Sequence, residues 1–169
     1  MDHHFDLVSH WRLAAPVDRV WAALADPDSW PRWWPYVRSV RLLRAAGADG
    51  QGSVRLFHWA TRLPYDLKIE IESIESVRHE RIRCRSRGQL RGEGIWLLQA
   101  RDGADGIFTD VTYVWRVNLG TCWMRCTAPL LAPLFRWNHN GVMRAGQLGL
   151  TNYLAQPMPG AGATAPARR

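Results

Sequence analysis

Apolar and polar residues alternate from the start of the chain. In Phe5 to Leu13, the positions Phe5, Leu7, Ser9, Trp11 and Leu13 fall on one side of an extended segment, which predicts a first strand. The period then changes. Val17, Val20, Trp21 and Leu24 recur at helical spacing behind Pro16, a first-turn proline, until Asp26-Pro27 ends the run. A second short helix, capped by Asp28 or Ser29, carries Trp30, Trp33 and Trp34 and stops before Pro35.

From Val37 onward the period is two. Strands are predicted at Val37 to Leu43, Ser53 to Trp59, Tyr65 to Ile74, Arg81 to Arg87, Leu90 to Ala100 and Ile107 to Asn118, parted by turns such as Ala-Asp-Gly and Asp-Gly-Ala-Asp-Gly. Helical spacing returns over Ala128 to Ala155, with Leu131, Leu134, Phe135, Asn138, Val142, Ala145, Leu148, Gly149 and Asn152 on one stripe. Pro133 is expected in the first turn of this helix, and Gly141, Gly146 and Gly149 are expected to let it approach the sheet closely. Residues 1–156 form one domain in this reading, and the Pro/Gly/Ala-rich stretch 157–169 is expected to be a disordered tail.

The order β-α-α, six further strands and one long helix predicts an α+β domain: a seven-stranded curved antiparallel sheet wrapped around the last helix. One helix does not fill the hollow of so wide a sheet. The remaining space is where a ligand is expected.

Charge narrows the function classes. The net charge is +7 and almost all of the positive charge is arginine, Lys68 being the one lysine. Basic chains are drawn to nucleic acid, but placement matters more than total. Arg81, Arg83, Arg85 and Arg87 occupy the outward parity of one predicted strand, next to Asp66, Lys68, Glu70 and Glu72 on the outward parity of its neighbour. An arginine ladder beside an acidic ladder neutralises itself, so no nucleic-acid partner is expected. On the inward parity lie Tyr65, Leu67, Ile69 and Ile71 on one strand and Ile82, Cys84 and Ser86 on the next.

No stretch is apolar enough to span a bilayer, and the start of the chain is polar and His-rich, so a cytoplasmic protein without an integral membrane segment is expected. Cys84, Cys122 and Cys126 are read as reduced thiols. Neither a metal-binding histidine spacing nor a Gly-rich phosphate loop, a G-x-S-x-G elbow or a Cys/His nucleophile pattern occurs, so no metal or cofactor is expected and covalent catalysis has no support.

At this point the sequence resembles the START-like (SRPBCC) superfamily, the helix-grip proteins that include polyketide cyclases and lipid-transfer domains. The resemblance is carried by APVDRVWAALADPDSWPRWWPYV, RLPYDLKIEIESIE and FRWNHNGVMRAGQLGL, and it covers residues 5–155. It implies the same helix-grip fold and an internal cavity for an apolar molecule. Fold alone does not assign chemistry.

Ten tryptophans are more indole than a compact core of this size absorbs easily. Trp59, Tyr65, Trp96, Tyr113 and Trp115 are read as strand residues that either line a pocket or complete the core. Asn138 and His139 interrupt the apolar stripe of the last helix. They either orient a ligand, with His139 also able to serve as general base, or tie the helix to its neighbours. Trp30, Trp33, Trp34 and Tyr36 form either a lid or a plug. The pairs His58/Arg62 and Asp110/Arg116 lack an orienting third group. The expected function is therefore the binding or carrying of a hydrophobic, aromatic or polycyclic small molecule, with an aromatase/cyclase-type enzyme as the alternative; the oligomeric state is open.

Overall fold

The structure, a computed structural model, describes residues 4–48, 51–62, 65–104, 106–119 and 122–156, with side chains throughout except at 4, 119 and 122–132. The expected tail at 157–169 lies outside the described residues. The elements are β1 His4–Leu13, α1 Val17–Ala25, a 3-10 turn Pro27–Ser29, α2 Trp30–Trp33, β2 Val37–Arg44, β3 Val54–Trp59, β4 Leu67–Val77, β5 Arg81–Gly88, β6 Leu90–Gly103, β7 Gly106–Leu119 and α3 Cys122–Ala155. The seven strands pair antiparallel in the order β1-β7-β6-β5-β4-β3-β2. This is the expected α+β helix-grip fold.

Alternation decided which face of each strand is dry. In β1, Phe5, Trp11 and Leu13 are buried while Asp6, Val8, His10 and Arg12 are exposed. The outer face carries the charge ladders in register: Glu70 stands opposite Arg87, Glu72 opposite Arg85 and Glu75 opposite Arg83. Glu72 meets Arg44 at 2.8 Å and Arg87 at 3.0 Å, while Glu75 meets Arg81 at 2.7 Å. The Arg81 guanidinium beside it holds the Glu75 carboxyl below the usual range.

Two expectations about α3 need correction. The helix begins at Cys122, ahead of the expected start at 128, so Pro129 and Pro133 lie inside it. Each proline removes one ladder donor, yet the run of good helix formers around them continues the turn. The buried stripe is also rotated by about one residue, or roughly 100°. Asn138, His139, Met143, Gly146, Leu150 and Leu154 face inward, whereas Leu134, Leu148 and Asn152 are exposed. A helix with apolar residues on more than one side does not reveal its core face by hydropathy alone.

The three glycines do not meet the sheet as expected. Gly146 accommodates the Trp34 indole, Gly149 the Trp33 carbonyl and Gly141 the Arg62 side chain. The helix is thus held against α2 and the β3–β4 connection. Buried apolar residues form two clusters, one around Trp11, Trp34, Trp96 and Leu150, the other around Phe5, Ile69, Leu90 and Val117. Among the described residues, no helix is long and apolar enough to cross a membrane.

Candidate functional site

Sheet register arranges the inward residues in rows. Ile71, Ser86, Gly92, Val117 and Phe5 run across β4, β5, β6, β7 and β1 as one row, and Ser73, Cys84, Gly94, Trp115 and Leu7 as the next. A third row holds Ile82, Trp96, Tyr113 and Ser9. The small residues Ser86, Gly92, Cys84 and Gly94 fall together at the centre of the sheet. The β7 backbone fills the space over Gly92, and the Tyr113 hydroxyl and Cys84 Sγ fill that over Gly94, so of these four only Ser86 and Cys84 line the cavity above the sheet floor.

Between this floor and α3 lies a cavity of about 460 Å³. That is within the usual range for small-molecule pockets of roughly 300–1,000 Å³. It borders both apolar clusters: Trp34 and Phe57 belong to one, Phe5, Ile69, Leu90 and Val117 to the other. From above, α3 contributes Phe135, Asn138, His139, Val142 and Met143.

One wall is a series of tilted rings. Trp96 stacks on Tyr113 with centroids 4.1 Å apart, Tyr113 on Trp115 at 6.5 Å and Trp115 on the His139 imidazole at 5.6 Å, with interplanar angles of 24°, 28° and 26°. Gly94 makes this possible. The Tyr113 hydroxyl and Cys84 Sγ both occupy the space that a side chain at 94 would need. Opposite, Trp59 meets Trp34 edge-on at 4.9 Å and lies nearly parallel to Phe57 at 6.1 Å.

Among the described residues, the polar side chains that line the cavity are mostly neutral. His139 Nε2 lies 3.3 Å from Ser9 Oγ. Burial lowers the pKa of its ring to about 4, so the imidazole is uncharged at neutral pH. Burial pushes the Cys84 thiol up to about 12, and the thiol donates to the Gly94 carbonyl at 3.4 Å. The Tyr113 phenol is likewise raised well above its ordinary value by burial. Arg55 is the exception, a charged residue on the inward parity of β3. It grips Asp28 in the 3-10 turn with Nε 3.2 Å from Oδ1 and Nη2 3.0 Å from Oδ2, and it donates to Ser53 Oγ at 3.1 Å.

A family model described as polyketide cyclase/dehydrase and lipid transport matches residues 5–154. The chain belongs to this family. Among solved structures, this START-like chain resembles the Zhui aromatase/cyclase from Streptomyces sp. R1128, with 14% identity over 90% of this chain and 94% of that one and a TM-score of 0.71. A START superfamily protein from Mycobacterium smegmatis matches at 14% identity over 90% of this chain and 97% of that one, TM-score 0.66. The protein TTHA0849 from Thermus thermophilus matches at 16% identity over 88% of this chain and 99% of that one, TM-score 0.62. At such identities the likeness shows the fold. No curated protein sequence matches the chain.

All seven residues singled out in the sequence, Trp59, Tyr65, Trp96, Tyr113, Trp115, Asn138 and His139, border the cavity of this START-like domain. Tyr65 does so from outside the strands, in the connection between β3 and β4, because β3 ends at Trp59, which pairs with Leu67, the first residue of β4. Its carbonyl accepts the Thr61 hydroxyl at 2.7 Å. Asn138 Oδ1 accepts the Arg62 backbone N–H at 2.8 Å, which ties the helix to that loop. Arg62 also lies over the exposed Trp137 ring at 4.0 Å.

Trp30, Trp33 and Trp34 are core, as a plug would be: Trp30 Nε1 donates to the Ala23 carbonyl and Trp34 Nε1 to the Val142 carbonyl. His58 pairs with Asp66 rather than Arg62, and Asp110 with Arg12 and Arg101 rather than Arg116. Sequence reasoning passed over Arg55, and it placed Ser86 inward without giving it a role in the site. Arg55 shares the parity of Trp59, which reads as a strand residue that lines the pocket or completes the core, and that parity was the signal that could have found it.

Proposed function

We propose that this chain binds or carries a hydrophobic, ring-bearing small molecule in the cavity between α3 and the sheet. Trp59, Tyr65, Trp96, Tyr113 and Trp115 serve as its walls, and Asn138 and His139 face it from the helix. The observation that carries this reading is the ring series from Trp96 to His139 beside a void of about 460 Å³. Parallel π-faces favour a flat guest, and each 100 Å² of apolar surface it buries contributes about 2.5 kcal/mol before the cost of association. The pairing of the outer arginines with Glu72, Glu75 and Glu93 supports a function without nucleic acid.

Chemistry of the aromatase/cyclase type in the same cavity is the second reading, favoured by the family description and by the neutral His139 ring at the cavity. It ranks below binding because His139 at about 4 is a weak base and the Asp28 carboxylate is engaged by Arg55. Native mass spectrometry of the purified protein, with displacement of the dye 1-anilinonaphthalene-8-sulfonate, tests the first reading. A one-to-one complex with an apolar aromatic supports it, and absence of any such complex refutes it. Turnover of a model poly-β-ketone that is lost in His139→Ala would put the second reading first.

A further inference from the structure

Two buried side-chain polar atoms among the described residues have no hydrogen-bond partner, Trp33 Nε1 and Ser86 Oγ. Trp33 is not part of the cavity lining, but Ser86 is. Ser86 is 4% exposed, on the inward parity of β5 two residues from Cys84. Its cross-strand neighbours, Ile71 on β4 and Gly92 on β6, carry no polar side-chain atom. The thiol of Cys84 is already committed to the Gly94 carbonyl. Protein interiors satisfy the great majority of buried hydroxyls, so an orphan on a cavity wall points to a partner that enters the cavity.

We infer that Ser86 Oγ is the hydrogen-bonding anchor for an oxygen substituent on the guest. The inference rests on the binding reading above and narrows its ligand class to ring-bearing apolar molecules with a hydroxyl or carbonyl group, as against plain hydrocarbons. A serine hydroxyl both donates and accepts, so it serves either group. The anchor sits at the centre of the sheet, between Ile71 and Gly92 and two residues from Cys84, on the wall of the cavity. The Tyr113 hydroxyl, over Gly94 beside Cys84, brings a second neutral polar group to the same part of the floor. A flat guest lying along the Trp96–Tyr113–Trp115 wall then presents its oxygen to β5.

The test is calorimetric titration of the whole chain with 2-naphthol and with 2-methylnaphthalene, which differ by hydroxyl against methyl. The same titrations are run on Ser86→Ala, a change that removes an unmet hydroxyl and leaves the fold intact by thermal midpoint. Wild type is expected to prefer 2-naphthol by about fivefold or more, the worth of one net hydrogen bond. Ser86→Ala is expected to lose that preference while binding 2-methylnaphthalene as well as wild type does. Equal binding of the two probes by wild type, or a preference that survives in Ser86→Ala, overturns the anchor and leaves the binding reading standing. Failure of both probes to bind wild type overturns both. Should Ser86→Ala not fold, a crystal structure of wild type with 2-naphthol decides: an oxygen within hydrogen-bond distance of Ser86 Oγ supports the anchor, and any other placement refutes it.

Discussion

Gly146 of α3 lies under the Trp34 indole, at a place where even a methyl group would overlap the ring. Trp34 Nε1 donates to the Val142 carbonyl one turn earlier, at 2.9 Å. An indole seated on a glycine thus fixes how near the helix comes to the rest of the core, and hence how much room is left beneath its N-terminal half.

Gly146→Ala is therefore expected to lower unfolding free energy by about 1–3 kcal/mol through overpacking. The same change at an exposed helical position stabilises by up to about 1 kcal/mol. Urea denaturation midpoints of wild type and variant give the answer, and a rise in midpoint would contradict the contact.

Asn138 holds the β3–β4 connection through the Arg62 N–H. Asn138→Ala leaves that donor without its partner and is expected to cost about 1–3 kcal/mol. Amide exchange at Arg62 should quicken at least tenfold, whereas exchange in β6 and β7 should keep its order relative to global stability. Unchanged exchange at Arg62 would show that the bond does not hold in solution.

Burial lowers the His139 pKa to about 4 from an ordinary value of 6.5. Between these values the unfolded chain binds a proton that the folded chain does not, so acidification from pH 6.5 towards pH 4 removes stability, up to roughly 3 kcal/mol from this group. Above pH 6.5 the effect is flat. The difference in unfolding free energy between wild type and His139→Gln, followed across this range, should shrink as the pH falls. Imidazole proton shifts in NMR should show a ring that is neutral at pH 6.

Cys84 is a cavity-wall thiol pushed up to about 12 by burial. The thiolate is the reactive form, so at pH 7 it is nearly inert. In a chain carrying Cys122→Ser and Cys126→Ser, Ellman's reagent should react with Cys84 only on the timescale of unfolding, and fast labelling of the folded protein would contradict that environment.

Much of the fold was legible because a sheet with one wet face writes its parity into the chain. Tyr113 and Trp115 were placed inward, and Arg81 to Arg87 outward, from alternation alone. Where a pattern had more than one reading, sequence logic failed. Tyr65 continues the alternation of β4 yet precedes the ladder, since pairing ends at the Trp59–Leu67 couple. The core face of α3 was misjudged by a residue because Leu134 and Leu148 are apolar and exposed. Arg55 stayed hidden for a different reason. An arginine reads as solvent-facing, and its inward parity becomes intelligible only with Asp28 beside it in space. The gathering of Ser86, Gly92, Cys84 and Gly94 at the centre of the sheet depends on strand register, which a single strand's pattern does not contain.

The central claim is that the space under α3 admits a flat apolar guest. Ile71→Trp, which places an indole on the cavity floor at a half-buried position, is the most direct probe. Titration of 1-anilinonaphthalene-8-sulfonate into wild type and variant, both checked for an intact fold by thermal unfolding, should show saturable one-to-one binding to wild type and at least tenfold weaker binding to the filled variant. Equal binding to both proteins, or none to wild type, would contradict the account.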